Sequence, residues 1–231
     1  MKLRALTESE PRATVLHTRT LAAVTLAVMA ILVVRWHYEP YLDRGYLVWN
    51  LFLAWIPYVS ARLLWRAARA SFPLLVLLPL LAVWFVFLPN APYLVTDVVH
   101  LHHPHDFRLA IEVALFGTVA LAGVLLGVAS VQPIHRLVAE RYGPRAAAAF
   151  PPLIAIAVAF GVYLGRVQRW NSWALVETPG RLFHATWAVL GHPIEHPRAF
   201  AGIALFGIAF LVVYSALTNE RGPLGTPPRR I

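Results

Sequence analysis

The hydrophobic pattern of this chain consists of long apolar runs separated by short polar segments. Six of these runs approach the roughly 20 residues that a helix needs to cross the ~30 Å hydrocarbon core of a bilayer. They predict membrane-spanning helices at about residues 20–37, 45–61, 72–88, 109–131, 146–165 and 199–217. The sequence therefore predicts an all-α, polytopic membrane protein, built as a six-helix transmembrane bundle.

Composition supports a membrane protein and excludes a soluble domain. Hydrophobic residues make up 59% of the 231 residues and charged residues only 13%, against roughly 45–50% and 25% in soluble domains. The chain has no cysteine, which excludes a disulfide framework and thiolate chemistry. The first apolar run is interpreted as an uncleaved span, with a cleaved signal peptide as the alternative.

The basic residues predict the orientation of the chain. The net charge is +9, but thirteen of the 20 Lys and Arg residues lie in four short segments: 1–19, 62–70, 132–145 and 218–231. This distribution is typical of membrane orientation rather than of nucleic-acid binding, so the bilayer is the expected partner. The positive-inside rule makes residues 1–19 a cytoplasmic tail and residues 218–231 a disordered cytoplasmic tail.

A polar segment follows the third predicted span. Pro89 and Pro92 disfavour helix in the residues before them, so the span is expected to end near Leu88. Asn90 suits the N-cap of a new helix. A short interfacial helix here would bring these side chains to one face: Tyr93, Thr96, Asp97, His100 and His103. An extended segment is the alternative, since several residues are β-branched, but it would leave backbone groups unsatisfied at the bilayer edge.

Asp97 and His100 are the candidates for catalysis or metal binding. Their spacing lets both side chains reach one metal ion or one proton path, and His103 is a further candidate ligand. No zinc motif is matched and no cofactor is evident, so a divalent metal is a hypothesis. A structural hydrogen bond between Asp97 and His100 is the alternative.

A second polar cluster follows the fifth predicted span. Arg166, Arg169 and Trp170 share a helical face, which is typical of an interfacial anchor with aromatic rings at headgroup depth. Alternatively, an arginine turns inward and either pairs with Asp97 or Glu112 or binds an anionic headgroup. Residues 182–190 are expected as another short interfacial helix on the outer face.

Isolated polar residues and glycine pairs add to this interpretation. Asn50 and Glu112 lie in the outer parts of their spans, where polar groups are functional candidates, and a shared outward-facing cavity would explain both.

The fourth span carries Gly123 and Gly127, and the fifth carries Gly161 and Gly165. Such pairs allow close helix packing, expected here within one chain, with a dimer contact as the alternative.

Two stretches, FLPNAPYLVTDVVHL and GVYLGRVQRWNSW, resemble the bacterial membrane proteins of domain of unknown function 1361. The resemblance implies a bacterial cytoplasmic (inner) membrane protein. It also assigns two groups of residues to the family's motifs: Asn90, Pro92, Tyr93, Thr96, Asp97 and His100, then Gly165, Arg166, Arg169, Trp170, Asn171, Ser172 and Trp173. The family shows an acid after that last tryptophan, where this chain has Ala174. The resemblance implies no activity.

Three functions follow from these patterns. The first is binding or transport of a lipid headgroup or small polar solute through Arg166, Arg169, Asn171 and Asn90. The second is a metal-dependent or acid–base enzyme acting on a lipid-linked substrate through Asp97 and His100. The third is a structural or assembly partner in the cell envelope. The oligomeric state is left open.

Overall fold

The computed structural model describes residues 18–38, 45–100, 107–170 and 177–218. Helix dominates this part of the chain, and no strand occurs within it. The elements are α1 (Thr18–Tyr38), α2 (Gly45–Arg69), α3 (Leu74–Phe87), α4 (Asn90–Tyr93), a 3₁₀ helix (Leu94–His100), the long segment Phe107–Arg166 with two arms, α5 (107–142) and α6 (144–166), then α7 (Pro179–Leu190) and α8 (Pro197–Thr218). The predicted tails lie almost wholly outside the described residues.

The long segment is a helical hairpin that turns at Gly143. This residue has φ 82° and ψ −176°, a backbone conformation that glycine adopts readily because it has no Cβ. Across the turn, the His135 Nε2 lies 3.0 Å from the carbonyl oxygen of Ala147, and the His135 ring stacks on Phe150. Residues twelve apart in a straight helix would be separated by about 18 Å, so α5 and α6 run side by side in opposite directions.

Five helices in the described part of the chain are long and apolar enough to cross a membrane. One of them, Leu109–Arg166, is the hairpin, whose arms correspond to the predicted fourth and fifth spans. The prediction of an all-helical membrane bundle is confirmed, while the number of crossings stays a prediction. Residues 132–142 were expected as a loop but continue α5, because a helix can extend beyond the apolar run that crosses the hydrocarbon.

The core lies between α2 and the α5–α6 hairpin. Leu47 and Leu51 of α2 and Phe116 and Val119 of α5 are buried within one apolar cluster. The outer surface is also apolar, with side chains such as Leu75 largely exposed. In a bilayer this exposed belt would contact acyl chains rather than water.

Helix α8 is fixed to the hairpin by a partly buried hydrogen bond. The Tyr214 hydroxyl lies 2.7 Å from His135 Nδ1, and the other ring nitrogen faces the Ala147 carbonyl. A carbonyl oxygen accepts only, so His135 Nε2 carries a proton and donates it. The three helices are thus joined through one imidazole ring.

The third span ends at the prolines, as expected. Helix α3 stops at Phe87, and the chain continues as α4 and the 3₁₀ helix. A 3₁₀ helix has three residues per turn, and from this segment Tyr93 and Asp97 both reach Arg166 NH1. The Thr96 hydroxyl donates to the Tyr93 carbonyl at 2.6 Å, a local bond that suits this tighter turn. The extended alternative is wrong.

Candidate functional site

The segment 89–94 is packed between the two arms of the hairpin at glycines. A Cβ on Gly123 of α5 would lie 2.3 Å from the carbonyl oxygen of Ala91, and a Cβ on Gly161 of α6 would lie 2.3 Å from Pro89 Cγ. Real Cβ atoms essentially never approach that closely. Only glycine lets both arms come this near to the segment.

The second glycine of each pair contacts the same segment. A Cβ on Gly127 would lie 3.4 Å from Pro92 Cδ, and one on Gly165 would lie 3.4 Å from the Tyr93 ring. Both glycine pairs therefore pack within one chain, as expected from the sequence. They hold α4 in place, and α4 in turn positions the polar residues that follow it.

Asp97 is buried at the end of this segment, with only 1% of its surface exposed. Its Oδ1 lies 3.4 Å from Arg166 NH1, forming an ion pair. Its Oδ2 accepts a hydrogen bond from the Asn50 side-chain amide at 3.3 Å. Removing a carboxylate from water is costly unless it is paired and hydrogen-bonded, and these two partners from α2 and α6 satisfy both oxygens.

Arg166 joins the two polar motifs. Its NH2 donates to the backbone carbonyl of Thr96 at 2.8 Å, and its NH1 lies 3.4 Å from the Tyr93 hydroxyl. The guanidinium also lies over the Tyr93 ring, 5.7 Å from its centroid, within the range of a cation–π interaction. Arg166 thus turns inward, and 24% of its side chain stays exposed.

The chain leaves α6 through a left-handed residue. Arg169 has φ 58°, and the backbone N–H of Trp170 donates to the Leu164 carbonyl at 3.1 Å. Glycine or asparagine usually takes this conformation after a helix, and a residue with a Cβ adopts it at a cost of about 1–2 kcal/mol. Within the described part of the chain, the exposed Arg169 guanidinium makes no hydrogen bond or ion pair.

Asn90 has a different local role from the one predicted. Helix α4 begins at Asn90, and the residue in the N-cap position is Pro89. The Asn90 side-chain amide instead donates to the carbonyl oxygen of Phe87 at 3.1 Å. It therefore satisfies a carbonyl at the end of α3, because the Ala91 N–H, which a continuing α-helix would direct to Phe87, donates to the Leu88 carbonyl instead.

These residues surround a cavity of about 990 Å³, which we call the Asp97–Arg166 cavity. Its polar lining is Asn50, Asn90, Tyr93, Asp97, Arg166, Arg169 and Trp170, and its apolar lining includes Leu53, Phe85, Val86, Ala157, Phe160 and Leu164. Asp97 offsets the charge of one arginine, so the two arginines and one aspartate leave a formal charge of +1 at the polar end. The cavity thus combines a cationic end with a mainly apolar wall.

Glu112 lies outside this lining and belongs to a second ion pair. It pairs with Arg35 at the end of α1, and both side chains are buried, with 3% and 6% exposed. Arg35 was missed as the partner of Glu112, which was expected to pair with an arginine after the fifth span. A charge in the last turn of an apolar helix is itself a signal of a partner, because polar groups within a membrane are costly.

The metal hypothesis rests on residues that are only partly described. No group of three or more His, Cys, Asp or Glu side chains that could hold a metal occurs among the described residues. Three of the predicted residues lie outside the described part of the chain: the side chain of His100, and the whole of His103 and of Asn171. Metal binding and catalysis by Asp97 and His100 therefore stay predictions.

Comparison with known proteins places the chain in a family without an assigned activity. Residues 49–213 match the family model described as a protein of unknown function, DUF1361, and the chain belongs to this family. No curated protein matches the chain, and no solved structure matches it. The match covers every residue of the Asp97–Arg166 cavity lining except Tyr46.

Proposed function

We propose that this multi-pass membrane protein of the DUF1361 family binds the anionic part of a lipid headgroup or small polar solute in the Asp97–Arg166 cavity. The observation that carries the proposal is the polar end of the cavity, where Arg166 and Arg169 both line one space. Arginine suits this role, because its planar guanidinium donates paired hydrogen bonds to phosphate and carboxylate oxygens.

The two arginines have different tasks in this proposal. Arg166 is held by Asp97, Thr96 and Tyr93, so its guanidinium is oriented before a ligand arrives. Such preorganisation reduces the entropy lost on binding. Arg169 is exposed and supplies the charge that no described side chain balances. A ligand with a single negative charge would neutralise the polar end.

Binding is favoured over metal-dependent catalysis by the surroundings of Asp97. Both of its carboxylate oxygens already accept hydrogen bonds, one from Arg166 and one from Asn50. These bonds hold the carboxylate toward the Arg166 guanidinium and the Asn50 amide, so both partners help to fix its orientation. We therefore assign Asp97 to positioning Arg166.

The proposal also includes the direction in which the cavity opens. The cavity lies at the end of α6 that is remote from the Gly143 turn, and the basic segment before that turn is expected in the cytoplasm by the positive-inside rule. The polar end would then face the opposite, outer side of the inner membrane. A ligand would be bound at that side.

Calorimetric titration of the purified protein with glycerol 3-phosphate tests the binding proposal. Arg169→Ala should weaken binding by about 10- to 100-fold, because a hydrogen bond to a charged group contributes about 1.5–3 kcal/mol. The matched control is Arg198→Ala, which removes an exposed arginine that does not line the cavity. Equal affinity in the two variants would overturn the proposal.

A further inference from the structure

The walls of the Asp97–Arg166 cavity are formed by helices that do not close on each other. Helix α3 packs along α2, but among the described helices no extensive packing joins α3 to α6. The two helices approach at the ring pair Trp84 and Phe150, with centroids 6.5 Å apart, and neither ring lines the cavity. Val86 of α3 and Ala157 of α6 both line the cavity.

Aromatic residues at the rim connect the cavity with the outer surface of the bundle. Trp49 of α2 and Phe85 of α3 both line the cavity, yet they are 52% and 51% exposed. Both belong to helices that are apolar enough to span a membrane. In a bilayer, the exposed parts of these rings would contact acyl chains, so two residues that line the cavity also reach the lipid phase.

We infer that the occupant is a lipid of the surrounding bilayer, which enters sideways between α3 and α6. Its anionic headgroup would lie at Arg166 and Arg169, and an acyl chain would lie along the apolar wall. This inference rests on the proposed anion binding and adds the source and class of the ligand. A soluble ligand, by contrast, would arrive from water at the polar end.

The size and polarity of the cavity favour a lipid over a small anion. A volume of about 990 Å³ is at the upper end of the roughly 300–1,000 Å³ typical of ligand pockets. It equals the volume of roughly 33 water molecules at about 30 Å³ each. A phosphate-sized anion would occupy only the polar end and leave the apolar wall in contact with water, which is unfavourable. An acyl chain would cover that wall.

Such a site should distinguish lipids by their headgroup rather than by the length of their acyl chains. Lipid tails are as apolar as leucine side chains, so moving an acyl chain from bilayer to cavity changes little apolar exposure to water. Chain length should therefore have little influence on occupancy. The headgroup contacts with Arg166 and Arg169 should determine it, because charge-assisted hydrogen bonds are about twice as strong as neutral ones.

Ala157→Trp tests the entry route by filling the gap from the α6 side. Residue 157 lies nine positions before Arg166, about 14 Å along the helix, so the new ring leaves the guanidinium untouched. The matched control is Ile156→Trp on the neighbouring position, whose side chain is 60% exposed and does not line the cavity. Val86→Trp fills the gap from α3 and repeats the test if the first variant fails to fold.

Each variant is placed in nanodiscs of equal parts phosphatidylglycerol and phosphatidylcholine, and the retained lipid is identified by native mass spectrometry. We expect phosphatidylglycerol on the unmodified chain and on Ile156→Trp, and at least a tenfold loss on Ala157→Trp. Binding of glycerol 3-phosphate should persist in the unmodified chain and in Ile156→Trp. Melting temperatures measured in the same nanodiscs confirm that the compared variants are folded.

The outcomes separate this inference from the proposed function. If Ala157→Trp and Val86→Trp retain as much phosphatidylglycerol as Ile156→Trp, lateral entry is excluded even though anion binding stands. If the chain binds glycerol 3-phosphate but retains no lipid, the ligand is a soluble anion and the inference is wrong. If neither probe binds, or Arg169→Ala changes neither, the proposed function itself fails.

Discussion

Gly161→Ala should destabilise the protein through a single overlap with Pro89. The added Cβ would lie 2.3 Å from Pro89 Cγ and 2.7 Å from Pro89 Cβ, whereas carbon atoms pack at about 3.5–4.0 Å. The atoms must separate by at least about 1.2 Å. The pyrrolidine ring cannot rotate away, because it is part of the backbone. The displacement must therefore pass into α4, and from there to Asp97.

The matched control makes the magnitude of this effect measurable. Gly117→Ala is also a helical substitution, but no atom lies within 4 Å of its added Cβ. Both variants gain the same helix propensity, about 1 kcal/mol, and this contribution cancels in their comparison. What remains is the overpacking of Gly161→Ala, about 1–3 kcal/mol. Each kcal/mol should lower the melting temperature by roughly 2–4 °C.

Thermal unfolding of both variants, followed by tryptophan fluorescence in one detergent, measures this difference. Gly161→Ala should also bind glycerol 3-phosphate more weakly than Gly117→Ala, because Asp97 holds Arg166 at the polar end of the cavity. Equal melting temperatures would show that α6 does not pack against Pro89 as described. A lower melting temperature with unchanged binding would separate the packing of α4 from the geometry of the cavity.

Three further predictions concern charges and topology. Asp97→Asn breaks a partly buried ion pair and should lower the free energy of unfolding by about 1.5–3 kcal/mol. In a double-mutant cycle with Arg166→Met, simple additivity would contradict the pairing. Glu112→Gln leaves the buried Arg35 guanidinium without its carboxylate and should lower the free energy of unfolding, measured with denaturant, by about 3 kcal/mol. Unchanged stability would argue against the Arg35–Glu112 ion pair. Single cysteines replacing the exposed residues Tyr142 and Ile194, in a chain without native cysteine, should react with an impermeant maleimide from opposite sides of a vesicle. Labelling of both from one side would refute the predicted orientation.

Much of the fold could be predicted because its causes are local in the sequence. An apolar run of sufficient length is a membrane helix candidate wherever it occurs, and this reasoning led to the all-helical bundle. The break after Leu88 was visible for the same reason, since proline acts on its own backbone. The family was likewise identified from two short motifs.

The site was visible only in part, because its partners are distant in sequence. Asp97 and Arg166 are 69 residues apart, and Arg35 and Glu112 are 77 apart. Several partners were possible for each charge, and the choice between them depended on how the helices pack. Asp97 pairs with Arg166, while Glu112 pairs with Arg35 instead of joining the cavity.

The helical membrane architecture and the polar residues that need partners can be inferred from the sequence, because both follow from the cost of placing backbone and charged groups in hydrocarbon. The packing of the helices shows that both glycine pairs contact the segment 89–94 and that the residues after it form a 3₁₀ helix. It also shows that α3 and α6 both line the Asp97–Arg166 cavity without packing extensively on each other. Such features depend on distances between elements remote in the chain, which no local pattern specifies.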